Sequence, residues 1–117
     1  MREMDKHEKT KGPKQMKKFT LLVGLNDKDT KTQKINYFDA FEIVNKILFD
    51  YSEGATVSQC VGIYKHEDGT KIIENSLKIE MLFIDLETVK KIIELLKKSL
   101  NQESICLQVQ DIESELI

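Results

Sequence analysis

Any chemistry this chain performs must come from amides, carboxylates and lysines, because the residue types that announce most active sites are absent or badly spaced. His66 is the sole histidine beyond residue 18, and it has no partner at ligand spacing. Cys60 and Cys106 show neither CxxC nor Cys/His spacing, so neither a zinc site nor a disulfide framework is encoded. A glycine-rich phosphate loop, an HExxH helix and a serine nucleophile elbow are all missing. The expectation is therefore a non-enzyme without metal or cofactor. Glu74, Glu80 and Glu103 acquire acid–base meaning only where burial raises a pKa, which leaves a small acid/base enzyme on Glu80 or Glu103 as an alternative.

Two polar clusters invite a binding role, Glu74-Asn75-Ser76 and Asn101-Gln102-Glu103-Ser104. Amides present a donor and an acceptor together, which suits a base edge or a ribose, and backbone near a strand end can receive a phosphate. A purely structural reading competes: Asn101 can cap a helix and Ser76 can satisfy a bulge. Lys28, Lys31 and Lys34 in the 26–34 segment would supply positive potential, and Tyr64 a stacking surface.

The elements that must position these groups are legible from period and punctuation. Residues 19–25 alternate Phe19, Leu21, Val23 and Leu25 against Thr20, Leu22 and Gly24, a strand with one buried face. Asn36 opens a helix to Tyr51 with Tyr37, Phe41, Val44, Leu48 and Tyr51 as its expected core stripe, leaving Phe38, Ile43 and Phe49 as surplus apolar surface. Two strands meet at Asp68-Gly69, which supplies the positive φ of a tight hairpin. Asp85 caps a second helix carrying Val89, Ile92, Ile93, Leu96 and Leu100, and a last strand begins at Ile105. The order β-α-β-β-α-β predicts an α+β ferredoxin-like sandwich, a four-stranded antiparallel sheet with two helices on one face.

Charge divides the chain in two. Residues 1–18 hold seven Lys/Arg against three acids, whereas residues 19–117 hold eleven against seventeen. The basic part is expected to be a disordered tail, and 19–117 a single domain. A tail of this kind can touch nucleic acid, but the domain is acidic and offers one aromatic, Tyr64, on its open sheet face, so a nucleic-acid partner is not expected. No apolar run approaches a bilayer span, and the start of the chain lacks a secretory stretch; membrane association is not expected, and the cytoplasm of a host bacterium is the expected location. The open face mixes Leu22, Leu82 and Tyr64 with small side chains, which together with the surplus on the first helix predicts a homo-oligomer, a dimer or higher.

The successive motifs VGLN at 23–26, GATV at 54–57, GIYKHEDG at 62–69, IENSLKIE at 73–80 and LNQESI at 100–105 resemble a bacterial ferredoxin-like domain family of unknown function. They are also similar to the small phage proteins that counter Thoeris defence by sequestering cyclic ADP-ribose signals, the first-described Thoeris anti-defence family. That resemblance implies a sponge that binds a cyclic nucleotide, a cyclic ADP-ribose isomer or a related cyclic oligonucleotide, without degrading it, in an oligomer with sites between subunits. It carries over Asn75, Asn101, Gln102 and Glu103 as ligand-binding residues. Arginines commonly hold phosphates in such sites, and the one arginine here is Arg2 in the tail, so Lys28 and Lys34 are expected to substitute as point charges. The remaining alternative is a bacterial protein-interaction or small-ligand-binding module.

Overall fold

The computed structural model describes residues 12–117. Six elements follow one another: β1 (Lys14–Gly24), α1 (Tyr37–Tyr51), β2 (Thr56–Lys65), β3 (Lys71–Met81), α2 (Leu86–Ser99) and β4 (Cys106–Ser114). The strands form one antiparallel sheet in the order β2-β3-β1-β4, the ferredoxin-like arrangement. Both helices cover the same face because alternate residues of the two central strands are apolar. Phe19, Leu21 and Val23 of β1, with Leu77, Ile79 and Met81 of β3, are buried beneath Ala40, Val44 and Leu48 of α1 and Val89, Ile92 and Leu96 of α2. Register places Leu21 opposite Ile79 and Val23 opposite Leu77, so the two rows close into one core.

The helix termini form as their sequences require. Asn36 Oδ1 accepts from the Asp39 N–H at 2.8 Å, and Asp85 Oδ1 accepts from the Thr88 N–H at 2.7 Å, each satisfying a donor that the first turn leaves free. The α1 stripe is rotated from the expected one. Phe41 and Tyr51 remain substantially exposed, while Ala40, Ile43 and Ile47 turn toward the sheet beside Tyr37, Val44 and Leu48. The 40-44-48 row supplies the short i,i+4 ridge that packs against the sheet, and the bulkier ring at 41 is displaced to its edge.

The first strand also begins earlier than expected, at Lys14 rather than Phe19. Its basic start is tethered by β4, which runs to Ser114 and pairs Lys14 with Ser114 and Lys17 with Asp111. Gln15 Nε2 donates to Glu113 Oε1 at 2.7 Å and Lys17 Nζ lies 2.6 Å from Asp111 Oδ1, so these basic and polar side chains are matched by the acidic end of the chain. The part of the expected tail at 1–11 lies outside the described residues.

Two ribbons therefore project past the helices in opposite directions, β1/β4 at one end and the β2/β3 hairpin at the other. The hairpin turns at Gly69, φ 89°, with the His66 N–H bonded to Thr70 O at 2.9 Å. Beyond the helices its side chains lose their cover: Ile63 is 78% exposed and Ile73 73% exposed, directly opposite each other. On α1, Phe38 and Phe49 also face outward. Among the described residues no helix is long and apolar enough to cross a membrane.

Because Ile79 is fully buried in the core on the helix-covered face of the sheet, Ile79→Ala is expected to destabilise the fold by about 2–5 kcal/mol, seen as a lower midpoint in urea with an unchanged slope. A loss below about 1 kcal/mol would mean that the sheet–helix interface is not the principal core.

Candidate functional site

The open face of the sheet is not uniform. At the end where β1 finishes, a broad open groove of about 630 Å³ lies between the tip of the β2/β3 hairpin, the loop after β1 and the turn after α2. Its floor is Leu22, Gly24 and Ile72, its hairpin wall carries Tyr64, His66 and Glu74, and its other wall carries Asn26, Lys28, Gln102 and Glu103.

Glu74 is the organising side chain. It lies on β3 facing the open side, two residues from Ser76, the partner of Gly24. A side chain at position 24 would collide with all three atoms of the Glu74 carboxyl group, so glycine there is what lets the carboxylate lie across β1. Glu74 Oε2 accepts from the Asn26 N–H at 2.8 Å, and Oε1 accepts from the Tyr64 hydroxyl at 3.3 Å. Across β2, Gly62 stands opposite Glu74 and leaves that side open as well. The Tyr64 pKa is raised, first by loss of solvent and then by the Glu74 charge and hydrogen bond, so the phenol stays protonated and donating. His66 packs edge-on against the Tyr64 ring, centroids 5.6 Å apart.

The loop after β1 is built around Asp27. Its carboxylate accepts from the N–H groups of Asp29 and Thr30, both at 3.0 Å, an Asx-type turn closed by Asp27 N–H to Thr32 O at 2.8 Å. Asn101 fastens the loop to α2, donating from Nδ2 to Asp27 Oδ1 at 2.7 Å and to Asp29 Oδ2 at 3.0 Å, while Asn101 O accepts from the Lys28 N–H at 3.0 Å. Asn101 can do this because it occupies the left-handed region, φ 48°, at the end of α2. The Asn101 N–H bonds Lys98 O and the Gln102 N–H bonds Lys97 O, the two bonds of a Schellman closure with asparagine in the glycine position.

These contacts sort the residues singled out in the sequence. Tyr64, Lys28, Gln102 and Glu103 all line the groove, brought together from three separate segments. Asn101 lies behind the wall, beside Lys34 and Leu25, with both amide hydrogens committed to Asp27 and Asp29. Lys34 shares that position outside the groove. Asn75 points to the helix side of β3, where its Nδ2 donates to Gln33 Oε1 at 2.8 Å, and its carbonyl accepts from the Leu25 N–H at 2.9 Å. In the sequence Glu74 stands out as a titrating acid and as part of the polar cluster Glu74-Asn75-Ser76, and Gly24 as one residue of an alternating strand, with nothing to pair the two. A glycine and a glutamate on the same face of adjacent strands is the signal that would have paired them, and it becomes visible only with the register.

The distant end of the open face is different. Lys18 forms an ion pair with Glu80 across β1 and β3, and that pairing holds the Glu80 carboxyl below its ordinary range. Glu80 is thus a paired, ionised carboxylate, whereas the acid/base expectation on this residue rested on burial raising its pKa.

No protein-family model and no curated protein matches this chain. Solved structures do match in fold. A phage SAM lyase in complex with S-methyl-5′-thioadenosine superposes with a TM-score of 0.62 at 20% identity, over 86% of this chain and 89% of its own. CutA from Synechococcus elongatus gives 0.59 at 9% identity over 91% and 88%. The GlnK–ATP complex of B. subtilis gives 0.54 at 18% identity over 84% and 82%. At these identities the likeness is one of fold.

The loop clamp has a pH signature. Asp27 is lowered to about 2, foremost by the Asn101 hydrogen bond and then by the Thr30 N–H. A depressed carboxyl contributes stability above its ordinary value near 3.8, and that contribution is lost as pH falls through about 2. Asn101→Gly retains the left-handed backbone and deletes the amide. It is expected to move the Asp27 titration, followed by carboxyl NMR shifts, up toward 3.8 and to speed amide exchange at 28–30. An unchanged titration would show that Asn101 does not hold the loop.

Proposed function

We propose that this protein removes an adenosyl ligand from solution by binding it in the groove beside Glu74, and that the preferred ligand is a sulfonium of the S-adenosylmethionine class. The observation that carries the reading is the carboxylate of Glu74, laid across Gly24 and held by the Asn26 N–H and the Tyr64 hydroxyl above an apolar floor. Such a fixed negative charge beside an aromatic ring favours a cationic centre, and Leu22 and Ile72 offer the apolar contact that an adenine gains from. The similar fold of a phage SAM lyase holding S-methyl-5′-thioadenosine, and of proteins holding adenine nucleotides, supports an adenosyl ligand.

A second reading, sequestration of a cyclic ADP-ribose isomer as the phage-protein resemblance implies, is favoured by one feature, Lys28 and Lys31 on the loop wall. Against two phosphates, however, the same groove sets Asp27, Asp68, Glu74 and Glu103. Electrostatics therefore ranks the sulfonium first. Calorimetry with S-adenosylmethionine, its neutral thioether S-adenosylhomocysteine and cyclic ADP-ribose separates the two. S-adenosylmethionine is expected to bind at micromolar Kd or tighter, equivalent to about 8 kcal/mol or more, and the thioether about ten-fold more weakly. Glu74→Gln should erase that preference. Binding of cyclic ADP-ribose alone would install the second reading, and no heat from any adenosyl compound would remove both. Chromatography of the ligand released by cold acid, set against ligand incubated without protein, decides its fate: intact ligand means sequestration, and S-methyl-5′-thioadenosine in excess of the protein-free control means that the protein cleaves what it binds.

Homo-oligomeric assembly belongs to the same reading, supported by the uncovered Ile63 and Ile73 on the hairpin and Phe38 and Phe49 on α1. Light scattering is expected to return a multiple of the 13.6 kDa chain mass at micromolar concentration, and Ile63→Lys to lower it. A monomer mass at all concentrations would overturn this part.

A further inference from the structure

The groove contains one buried acceptor without a donor. Gln102 is 9% exposed and lines the groove wall. Its Nε2 donates to Asn26 O at 2.8 Å and to Leu100 O at 3.2 Å, which uses both amide hydrogens and fixes which end of the amide is oxygen. Among the described residues, Gln102 Oε1 accepts no hydrogen bond.

Both carbonyls that hold this amide belong to rigid neighbours. Asn26 is fastened through its own N–H to Glu74 and bridged to Gln33, and Leu100 closes the last turn of α2 through its N–H to Leu96 O. The orientation of Oε1 is accordingly set before a ligand arrives, so little ordering cost remains on binding. A buried acceptor left unpaired is unfavourable, and only an N–H or O–H donor relieves it. Phosphate and carboxylate oxygens, which themselves only accept, do not. The committed hydrogens also rule out the two-point amide–adenine pairing, in which the amide nitrogen would donate to N7, and leave a single contact to the exocyclic amine. The base is the part of a nucleoside that gains most from leaving water, so in an adenosyl site it would take the buried wall and leave the sugar on the open side.

We propose that Gln102 is a specificity-determining residue of the groove, its Oε1 accepting a hydrogen bond from the exocyclic amine of an adenine base. The inference rests on the reading of the groove as an adenosyl site. The test measures calorimetric Kd values of 5′-methylthioadenosine, its deaminated inosine counterpart and its 2′-deoxy counterpart, on the wild-type protein and on Gln102→Met, with a melting curve for each protein.

The deaminated ligand is expected to bind the wild type about ten-fold or more weakly, since deamination replaces the donor by an acceptor facing Oε1. Gln102→Met should bind both bases equally and weakly. If the variant fails to fold, the wild-type comparison stands alone, and equal affinity for the two bases overturns the proposal. Full discrimination retained by a folded Gln102→Met overturns it as well, by placing the selectivity elsewhere. Weakening confined to the 2′-deoxy ligand would assign Oε1 to the sugar and overturn the amine assignment. Failure of every one of these nucleosides to bind the wild type is a different result, one that removes the adenosyl reading itself.

Discussion

The carboxylate of Glu74 lies across β1 because position 24 has no side chain, and the organisation of the whole groove follows from that one contact. With Glu74 in place, the Asn26 N–H has an acceptor at 2.8 Å and the chain leaves the sheet in a defined direction. With Asn26 placed, its carbonyl can receive Gln102 from the turn after α2. The same carboxylate receives the Tyr64 hydroxyl from the neighbouring strand. Three segments far apart in sequence thus meet around a single charged group, which is half-buried and accepts one hydrogen bond on each oxygen.

A second constraint keeps the far wall of the groove in register with the first. Asn101, in the left-handed region at the end of α2, spends its side chain on Asp27 and Asp29 and its carbonyl on Lys28. The loop after β1 is consequently carried by a helix terminus, and a helix terminus is carried by the core through Leu96 and Leu100. Rigid elements hold the groove from both sides, the condition under which a polar contact discriminates between ligands and does not merely tolerate them. Asparagine at this position has both amide hydrogens committed to the loop, and its neighbour Gln102, one residue on, lines the groove.

The distribution of charge supports the ligand class proposed for this groove. Glu74, Asp27, Asp68 and Glu103 outnumber Lys28 and Lys31 around the groove, and no arginine occurs among the described residues to bind a phosphate through two parallel hydrogen bonds. At the other end of the same face, Lys18 neutralises Glu80. The open face thus has a paired end and an acidic end: the acidic end forms the groove of about 630 Å³ with Tyr64 on its wall, whereas the cavity beside Glu80 is about 240 Å³. A cation on an adenosyl group fits this balance better than a cyclic diphosphate does.

The sequence by itself determined the element order, both helix caps, the hairpin at Asp68-Gly69 and the two faces of the sheet, because each rests on local chemistry: a period of two or 3.6, an Asx side chain before a first turn, a glycine where φ is positive. It also singled out Tyr64, Lys28, Gln102 and Glu103 by type, and the fold gathers these four around one groove. What it did not contain was the register between strands and the rotation of α1. Those depend on how whole faces pack, which is why Phe41 and Tyr51 turned outward while Ala40 turned in, and why Lys14 to Lys18 became a strand once β4 offered Asp111 and Glu113 as partners. The same long-range information separates Asn101, whose amide is tied to the loop, from Gln102, which lines the groove. Spacing cannot tell an amide that ties down a loop from one that lines a groove, because the difference lies in which carbonyls and carboxylates the rest of the chain brings within reach, and only the tertiary structure supplies them.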